Sequence, residues 1–423
     1  MDSNAFLTCF GLDGEDFGPT DALPIETGHG FEWSLEERKK EAFCPVCGLL
    51  ANVHSKYWMT LKANETREIE KLLVVRRIVY RCPSCGKTFT LPIKGHFSST
   101  SLTLEERKLI YSSFLLGMTF SEIGLKFRMS AARAVQLFDE MAPEARRQRL
   151  PEIMCIDEFS FKSSEYEKYA CIMMNLRNGM PVDIIPSRRQ AWLDDYFRRI
   201  PEGERKSVKY IISDMFEGYA RATRLWFPDA TLVVDRFHVI LLLRNAVNSL
   251  RTRAMKGIGE KTPEYRFMKA HWSEFLKAKF MVPDRCYGAS QYGEGVHFDE
   301  MITRCLQLSP QLRDGWSCLQ DLLRYTWGID TYTQASKEVD FVSTRLIGSG
   351  VDELIRVGET YKRWKAPIAT ALAKNQTGLR LTNGKMEGLN NQIKTIIKKA
   401  YGYRNFERFR KRALFILWNR KSL

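Results

Sequence analysis

The stretch IMCIDEFSF, residues Ile153–Phe161, determines how the rest of the chain is interpreted. Four apolar residues run directly into Asp157 and Glu158, and apolar residues resume at once, as in a buried strand. An unpaired carboxylate inside such a strand costs several kcal/mol, or it takes up a proton. The stretch therefore predicts that a bound group cancels the charge of Asp157.

An apolar run that ends in an acid occurs twice more. VKYIISDM ends at Asp214, and DATLVVDRFHV ends at Asp235, with His238 close behind. One such strand has an ordinary explanation, such as a helix cap or an ion pair, whereas three together favour a shared site. Carboxylates are ligands of Mg²⁺ or Mn²⁺, and two such ions about 4 Å apart promote phosphodiester cleavage. The pattern predicts a site with two divalent ions.

Length and charge limit the class of protein. The 423 residues exceed one compact domain, so two to four domains are expected. Lysine and arginine outnumber the acids, and the net charge of +15 favours a polyanionic partner, nucleic acid before an acidic membrane surface. A merely basic surface is the alternative. No apolar run of about 18 residues suggests a membrane span, and the acidic N-terminus does not resemble a secretory signal.

Two tight cysteine pairs predict a metal site. CPVCG contains Cys44 and Cys47, and CPSCGK contains Cys82 and Cys85. Each turn directs two thiolates at one point, and two such turns complete one structural tetrahedral Zn²⁺ site. Unconnected redox or buried pairs are the alternative, and His54 is a rival ligand. We expect a zinc ribbon over residues 41–98.

Basic residues on the intervening strand KLLVVRRIVYRC are candidates for phosphate contact. They are Arg76, Arg77 and Arg81. A solvated charged face explains the same residues equally well.

Residues 101–145 show the spacing of a helix-turn-helix. Thr103 begins a capping box, Gly117 breaks the first helix, and Ser130 caps a third helix. That third helix would read DNA through Arg133 and Gln136. A plain three-helix bundle is the alternative.

The remaining segments differ in character, so the fold class is multidomain α/β with additional α. Residues 1–40 are rich in glycine and acids and predict a loose leader of unknown role. Residues 150–240 alternate strands and helices, as in a mixed α/β core. Residues 241–380 are mostly helical, and residues 381–423 predict basic amphipathic helices with a break near Gly402.

From about residue 42 onward the sequence resembles the DDE transposases of bacterial insertion sequences, most of all the ISL3 family. The matching pieces, in the same order, are CPVCG…RRIVYRCPSCG, IDEFSFK, VKYIISDMFEGY, FPDATLVVDRFHV and NGKMEGLNNQIKTIIKKAYGYRNFERFRKRA. DRFH is similar to an Asp-x-x-His motif of Mutator-like and hAT transposases.

The resemblance implies an RNase H-like catalytic core whose acidic triad falls on Asp157, Asp214 and Glu387. Glu387 is selected by the resemblance alone, because a lone glutamate on a helix is usually a surface charge. The long interval before it implies that the helical region 241–380 is an insertion in the core. Glu158 would support the site or pair with a basic residue.

The resemblance also implies a function. The chain would bind the terminal inverted repeats of an insertion sequence, cleave the element ends and join the 3′-OH ends to target DNA. Asp235 and His238 would orient groups at the scissile phosphate. The candidates for phosphate contact on the C-terminal helices are Lys394, Lys398 and Arg404.

Two alternatives remain at this point, a domesticated non-catalytic DNA-binding regulator and an RNase H-like nuclease without strand transfer. Double-stranded DNA is the expected partner. Two element ends must be held together, so a homodimer or larger assembly is expected. The expected location is the bacterial cytoplasm, in association with the nucleoid.

Overall fold

The structure is a computed structural model of the chain. The described residues are 7–8, 12–20, 24–28, 30–62, 70–93, 102, 104–161, 168–292, 295–375, 378 and 380–419. Contacts divide the chain into two compact units, Met1–Ala145 with Lys411–Leu423 and Arg146–Arg410. Among the described helices, none is long and apolar enough to cross a bilayer.

A seven-stranded sheet dominates the first unit. Its strands are β1 (Phe17–Pro19), β2 (Ile25–Thr27), β3 (Gly30–Glu37), β4 (Ala42–Phe43), β5 (Leu50–Lys62), β6 (Glu70–Arg81) and β7 (Thr88–Phe89). The central path runs β1-β3-β6-β5-β4, while β2 pairs with β3 and β7 pairs with β6. The long antiparallel pair of β5 and β6 carries one cysteine turn before β5 and the other after β6.

The structure differs here from the loose leader that composition predicts for residues 1–40. β3 pairs in parallel with β6, from Gly30 opposite Glu70 onward. In β3 the letters FEWSLE alternate apolar and polar residues, which is the period of a strand. Leu35 is fully buried as a result. The prediction was wrong because the surrounding glycines and acids mask this short alternation when composition is averaged.

A buried ion pair connects β3 to β6. Nε of Arg77 donates to Oε2 of Glu37 at 2.8 Å, and the backbone N–H of Ile78 donates to the same oxygen at 2.8 Å. Arg77 also donates to the carbonyl of Leu91. The proposed phosphate contact by Arg77 is therefore contradicted, since its side chain is only 4% exposed. Successive strand residues face opposite sides, so the neighbouring Arg76 is the exposed one.

Three helices follow the sheet, Leu104–Leu115, Phe120–Lys126 and Ala131–Met141. The first ends just before Gly117, whose φ of +74° suits a residue without a side chain. The cap predicted at Thr103 lies outside the described residues.

Local hydrogen bonds fix where the second and third of these helices begin. Thr119 and Glu122 form a reciprocal capping box, and Oγ of Ser130 accepts the N–H of Arg133 at 3.1 Å.

The core of the second unit is a five-stranded sheet of order β10-β9-β8-β11-β12. Its strands are β8 (Ile153–Ser160), β9 (Tyr169–Asn175), β10 (Pro181–Ile185), β11 (Tyr210–Ser213) and β12 (Thr231–Val234). β8, β9 and β10 are consecutive antiparallel strands, with Gly179 at φ +71° in the second turn. β11 lies parallel to β8, and β12 lies parallel to β11.

Helices make up most of the rest of this unit. Those between the strands are Gln190–Arg198, Glu202–Lys206 and Glu217–Trp226. Those after β12 are Arg236–Lys256, Pro263–Ala270, Trp272–Phe275, Ala289–Tyr292, Phe298–Gln307, Pro310–Gly328, Tyr332–Ile347, Asp352–Arg363 and Lys365–Leu372. A 3₁₀ turn covers Lys279–Met281, and two short strands, β13 (Cys286–Tyr287) and β14 (Val296–His297), form an antiparallel pair.

The long helix Arg236–Lys256 lies at the centre of this helical part. Several of its residues belong to one apolar cluster that also includes the later helices. The buried hydroxyl of Tyr361 donates to the carbonyl of Val239 at 2.6 Å, which fixes a helix distant in sequence against it.

The chain ends in the helices Gly384–Lys399 and Phe406–Asn419. Between them Tyr401 and Gly402 have φ of +53° and +98°, at the break that the sequence predicts. The first of these helices carries Glu387 in its first turn.

Replacement of Arg77 by alanine is expected to destabilise the protein by about 3–5 kcal/mol, because it leaves the carboxylate of Glu37 buried without its partner. Arg76→Ala, which removes the exposed neighbour on the same strand, should change stability by less than about 0.5 kcal/mol. Urea unfolding of both variants measures the difference. Equal effects would contradict a stabilising role for the buried pair.

Candidate active site and metal centre

Three acids stand side by side across the parallel part of the second sheet. The register of β11 against β8, continued past the last pair, puts Asp214 level with Asp157. The register of β11 against β12 puts Asp235, directly after β12, level with Asp214. Neighbouring strands are about 4.8 Å apart, so the three acids occupy one edge of the sheet.

Asp157 is half-buried and held on both oxygens. Nδ2 of Asn390 donates to Oδ2 at 2.8 Å, and the backbone N–H of Glu158 donates to Oδ1 at 2.8 Å. Burial raises the pKa of Asp157, and the backbone hydrogen bond opposes that rise. The carboxylate is thus oriented by two neutral groups, an amide and a backbone N–H, and the charge of His238 also acts on it.

Asp214 is in a less favourable environment for a charge. Burial, followed by the negative charge of Glu158, raises the pKa of Asp214 to about 6. Its Oδ1 accepts the N–H of Phe216 at 3.2 Å. A carboxylate whose pKa is raised in this way is stabilised by a bound cation.

The helix Gly384–Lys399 brings Glu387 to the same region. Asn390, one turn after Glu387, contacts Asp157, and residues three apart lie on one helix face. Glu387 is exposed and lines the same cleft as Asp157. The helix therefore presents an amide and a carboxylate to the acid edge of the sheet.

Asp235 begins the long helix Arg236–Lys256. Its Oδ1 accepts the N–H of Phe237 at 3.3 Å, and its Oδ2 lies 3.3 Å from Nδ1 of His238. This hydrogen bond raises the pKa of His238. The Asp-x-x-His spacing thus produces an imidazole held one turn away from the acids.

A cleft of about 1060 Å³ opens over these groups. Among its lining residues are Asp157, Asp235, His238, Glu387 and Lys394. Asp214 does not line it, and lies beside it on the middle strand of the three.

The donor atoms around the cleft fit a hard cation. Within the described residues, the oxygens of Asp157, Asp214 and Glu387 do not all come within 4.8 Å of one another. Two further oxygens are available, since Oδ1 of Asn383 and Oδ1 of Asn390 are buried in the cleft wall without a hydrogen-bond partner. Carboxylate and amide oxygens are the ligands that Mg²⁺ and Mn²⁺ prefer.

Glu158, next to Asp157, has a cation of its own. Nη1 of Arg188 donates to Oε1 of Glu158 at 2.7 Å. The guanidinium of Arg188 stacks between the rings of Tyr169 and Phe216, 4.7 Å from each centroid. The expected pairing of Glu158 with a basic residue is confirmed, and this acid is neutralised where its neighbour is not.

In the first unit the four predicted cysteines form a cluster. The Sγ atoms of Cys44 and Cys85 are 3.5 Å apart, those of Cys47 and Cys82 are 3.4 Å apart, and all four lie within 4.8 Å. Tetrahedral Zn²⁺ with Zn–S bonds of about 2.3 Å requires thiolates roughly 3.8 Å apart.

The four thiols differ in their pKa values: those of Cys44 and Cys82 are lowered, and those of Cys47 and Cys85 are raised. Backbone N–H groups of Cys47 and Val46 lower the pKa of Cys44 to about 6. The cluster can hold one zinc ion without His54.

The other predicted DNA contacts are not among the residues that line the cleft. In the helix Ala131–Met141, Nη1 of Arg133 donates to Oε1 of Gln136 at 3.2 Å and lies 3.7 Å from Glu140. Of the predicted phosphate contacts outside the cleft, Arg76, Arg81, Lys398 and Arg404 are exposed.

Comparison with known families matches residues 154–413, more than half of the chain, to a family described as transposase, of the DDE type and the ISL3 group. This chain belongs to the ISL3 family of DDE transposases. The transposase for insertion sequence element IS1001 of Bordetella parapertussis is 24% identical over 393 residues, which are 91% of each chain.

A shorter match involves a protein with a different name. A Lactococcus lactis subsp. lactis protein named ATP-dependent protease is 30% identical over 122 residues, 27% of this chain and 34% of that protein. The sequence contains no G-x-x-x-x-G-K-[ST] loop for nucleotide phosphates. The family assignment therefore rests on the long matches.

Sequence reasoning missed three residues of this family member's site, Asn383, Asn390 and Arg188. Asn390 could have been identified from the sequence, because it lies three residues after Glu387 on the same helix face. Asn383 and Arg188 were not, because only folding brings them to the cleft wall and to Glu158 respectively.

Purified protein is expected to contain about one zinc ion per chain, because the four thiolates complete a structural site. Cys82→Ser should release the zinc. Cys286→Ser, which removes an exposed thiol outside the cluster, should retain it. Plasma mass spectrometry measures the content, and zinc-free wild-type protein would contradict the assignment.

Asp214→Asn should raise the melting temperature in magnesium-free buffer at pH 7.5. The folded-state pKa of about 6 lies above the ordinary value of 3.8, so the folded protein holds this proton more tightly than the unfolded chain. The wild type therefore loses stability as pH rises from about 4 through 6, and the variant does not.

The gain should disappear near pH 4. Asp229→Asn, which changes an exposed aspartate, should have the same small effect at both pH values. A pH-independent gain in Asp214→Asn would show that its carboxylate is not destabilised by burial.

Proposed function

We propose that this chain is the transposase of an insertion sequence. It binds the terminal inverted repeats, cleaves at the 3′ ends of the element and joins them to target DNA. The observation that carries the proposal is the level arrangement of Asp157, Asp214 and Asp235 on three neighbouring strands. The mixed sheet, three antiparallel strands extended by two parallel ones, supports an RNase H-like core.

Both reactions are displacements at phosphorus. In the first, a water molecule loses a proton and its oxygen bonds to phosphorus as the bond to the element's 3′ oxygen breaks, and that oxygen takes up a proton to become a 3′-OH. In the second, that 3′-OH loses its proton and bonds to a target phosphorus, and the target strand's 3′ oxygen leaves. Divalent cations, two per site, held by Asp157, Asp214 and Glu387 would activate the attacking oxygen and stabilise the leaving one.

The surrounding side chains hold the reacting groups. Asn390 orients the carboxylate of Asp157 through its 2.8 Å hydrogen bond. Asp235 fixes the imidazole of His238 at the cleft, where it orients groups near the scissile phosphate. Lys394, exposed on the same cleft, contacts a phosphate oxygen.

The first unit would recognise the element ends. The cysteine cluster stabilises a zinc ribbon at the end of the β5–β6 pair, and the helices that follow form a helix-turn-helix. Its reading helix is Ala131–Met141, with Arg133 and Gln136 as the base contacts. The exposed Arg76, Arg81, Lys398 and Arg404 supply phosphate contacts. Two ends must be paired, so the active form is at least a dimer.

Two alternative functions have less support. A domesticated DNA-binding regulator would have no need of the acids, and all of them are present at the cleft or beside it. A nuclease of the same core would cut without joining. A strand-transfer assay with pre-cleaved ends distinguishes these from a transposase, because only a transposase gives joined product.

The isosteric variants Asp157→Asn, Asp214→Asn and Glu387→Gln should each abolish cleavage and strand transfer, a loss of at least about 1000-fold, because one set of ligands serves both steps. Glu359→Gln, which neutralises an exposed helical acid, should retain wild-type rates. The measurement uses labelled DNA that carries the sequences flanking the gene, with Mg²⁺ or Mn²⁺.

Binding to these ends should be unchanged in the three acid variants. Arg133→Ala is the reciprocal test, since it should lose about 1–3 kcal/mol of discrimination between ends and random DNA. If Glu387→Gln cleaved at the wild-type rate, the third metal ligand would have to be another residue. Activity in all three variants would contradict the proposed chemistry.

A further inference from the structure

Part of the lining of the cleft is cationic. Arg236 and Arg244 come from the long helix that begins after Asp235, and Arg380 comes from the segment before the Glu387 helix. All three line the same cleft as Asp157 and Glu387. We call these three residues the arginine wall.

Two of the arginines are held against each other. Nη1 of Arg236 donates to the carbonyl of Thr326 at 3.3 Å, and Nη1 of Arg380 donates to the same oxygen. Burial, and then the charge of Arg380, lower the pKa of Arg236. Like charges fixed this closely repel, and a bound anion would relieve that repulsion.

Among the described residues, Asp330 forms an ion pair at this wall, and the charge of the neighbouring Asp235 also acts on Arg236. Asp330 lies 3.5 Å from Nη2 of Arg380, but it is 61% exposed and also pairs with Lys374 at 2.8 Å. One solvated carboxylate at the rim is therefore shared between two cations.

Arg244 provides an independent observation. Its Nε is buried and has no hydrogen-bond partner. Arg236, Ile240 and Arg244 follow at intervals of four along the helix, and all three line the cleft, so one helix face points into it. A buried charged donor without an acceptor is costly unless a ligand completes it.

The dimensions suit a nucleic-acid strand. Arg236 directly follows Asp235, which is level with the catalytic acids. Arg244 lies eight residues further, about 12 Å along the helix axis. Phosphates of one DNA strand recur about every 3.4 Å along the duplex. The arginine wall thus spans a few successive phosphates that begin next to the acids.

We propose that the arginine wall binds two or three successive phosphates of the cleaved DNA strand, on one side of the scissile phosphate. This rests on the proposed function, because it requires a DNA strand in the cleft. Guanidinium groups suit the task, since their planar forks hold phosphate oxygens in two parallel hydrogen bonds. The arginine wall positions the DNA strand, and the acids hold the cations that promote cleavage.

Arg244→Gln is the test variant, since Arg236 and Arg380 also hold the chain at Thr326. Binding of end DNA is measured in Ca²⁺ across a range of NaCl concentrations. The slope of log affinity against log salt should fall by about 0.7–0.9, the loss of one phosphate contact. Arg244→Lys should keep the slope and lose only a few-fold in affinity. Lys256→Gln, an exposed cation on the same helix outside the cleft, should match the wild type.

The contacted phosphate is located with DNA in which single linkages near the cleavage point are neutral methylphosphonates. One such linkage should weaken wild-type binding about tenfold and leave Arg244→Gln unaffected. The proposed role of the arginine wall would be wrong if every methylphosphonate weakened binding equally for the wild type and Arg244→Gln. It would also be wrong if the salt slope of Arg244→Gln were unchanged. If the wild type cleaves the ends normally in the same preparations, the proposed function stands even then; if it neither binds nor cleaves them, both proposals fall.

Discussion

The parallel pairing of β11 with β8 and with β12 is the constraint on which the site depends. Each strand carries a run of apolar residues. Asp157 lies within β8, and Asp214 and Asp235 directly follow β11 and β12 at the same level, so folding brings the three acids together. Burial is the main cause of the raised pKa values of Asp157 and Asp214, and the charge of Glu158 adds to it. A sheet stabilised by its apolar strands can tolerate the cost of burying these charges, and a bound cation would remove it.

At that edge of the sheet, two adjacent acids have different partners. Glu158 adjoins Asp157 in sequence, yet Arg188 pairs with it and two aromatic rings hold the guanidinium in place. Asp157 instead receives a neutral amide from Asn390, which orients the carboxylate and leaves its charge available. The difference separates an acid that supports the fold from one that can hold a cation.

The long helical region between β12 and the Glu387 helix gives the cleft its second wall. Its anchor is the helix Arg236–Lys256, which Tyr361 fixes through a buried hydrogen bond to Val239. Because this helix starts at Asp235, its arginines are tied to the acid edge by the chain itself. Acids that suit cations and arginines that would suit phosphates therefore line one cleft, a charge pattern that favours a polyanionic substrate.

The sequence alone determined the features that depend on short spacing. These are the two cysteine turns, the capped helices after Gly117 and the three apolar runs that lead into acids. It selected Glu387 only by resemblance, since nothing local distinguishes that residue from a surface charge. The tertiary structure decided which side chains are buried or paired with residues distant in sequence. Arg77 is buried because β3 supplies Glu37, from a segment whose composition predicts no strand. Asn390 and Arg244 gain their roles only when helices from opposite ends of the core line one cleft, because burial and unpaired donors arise from packing and are not encoded in any local pattern.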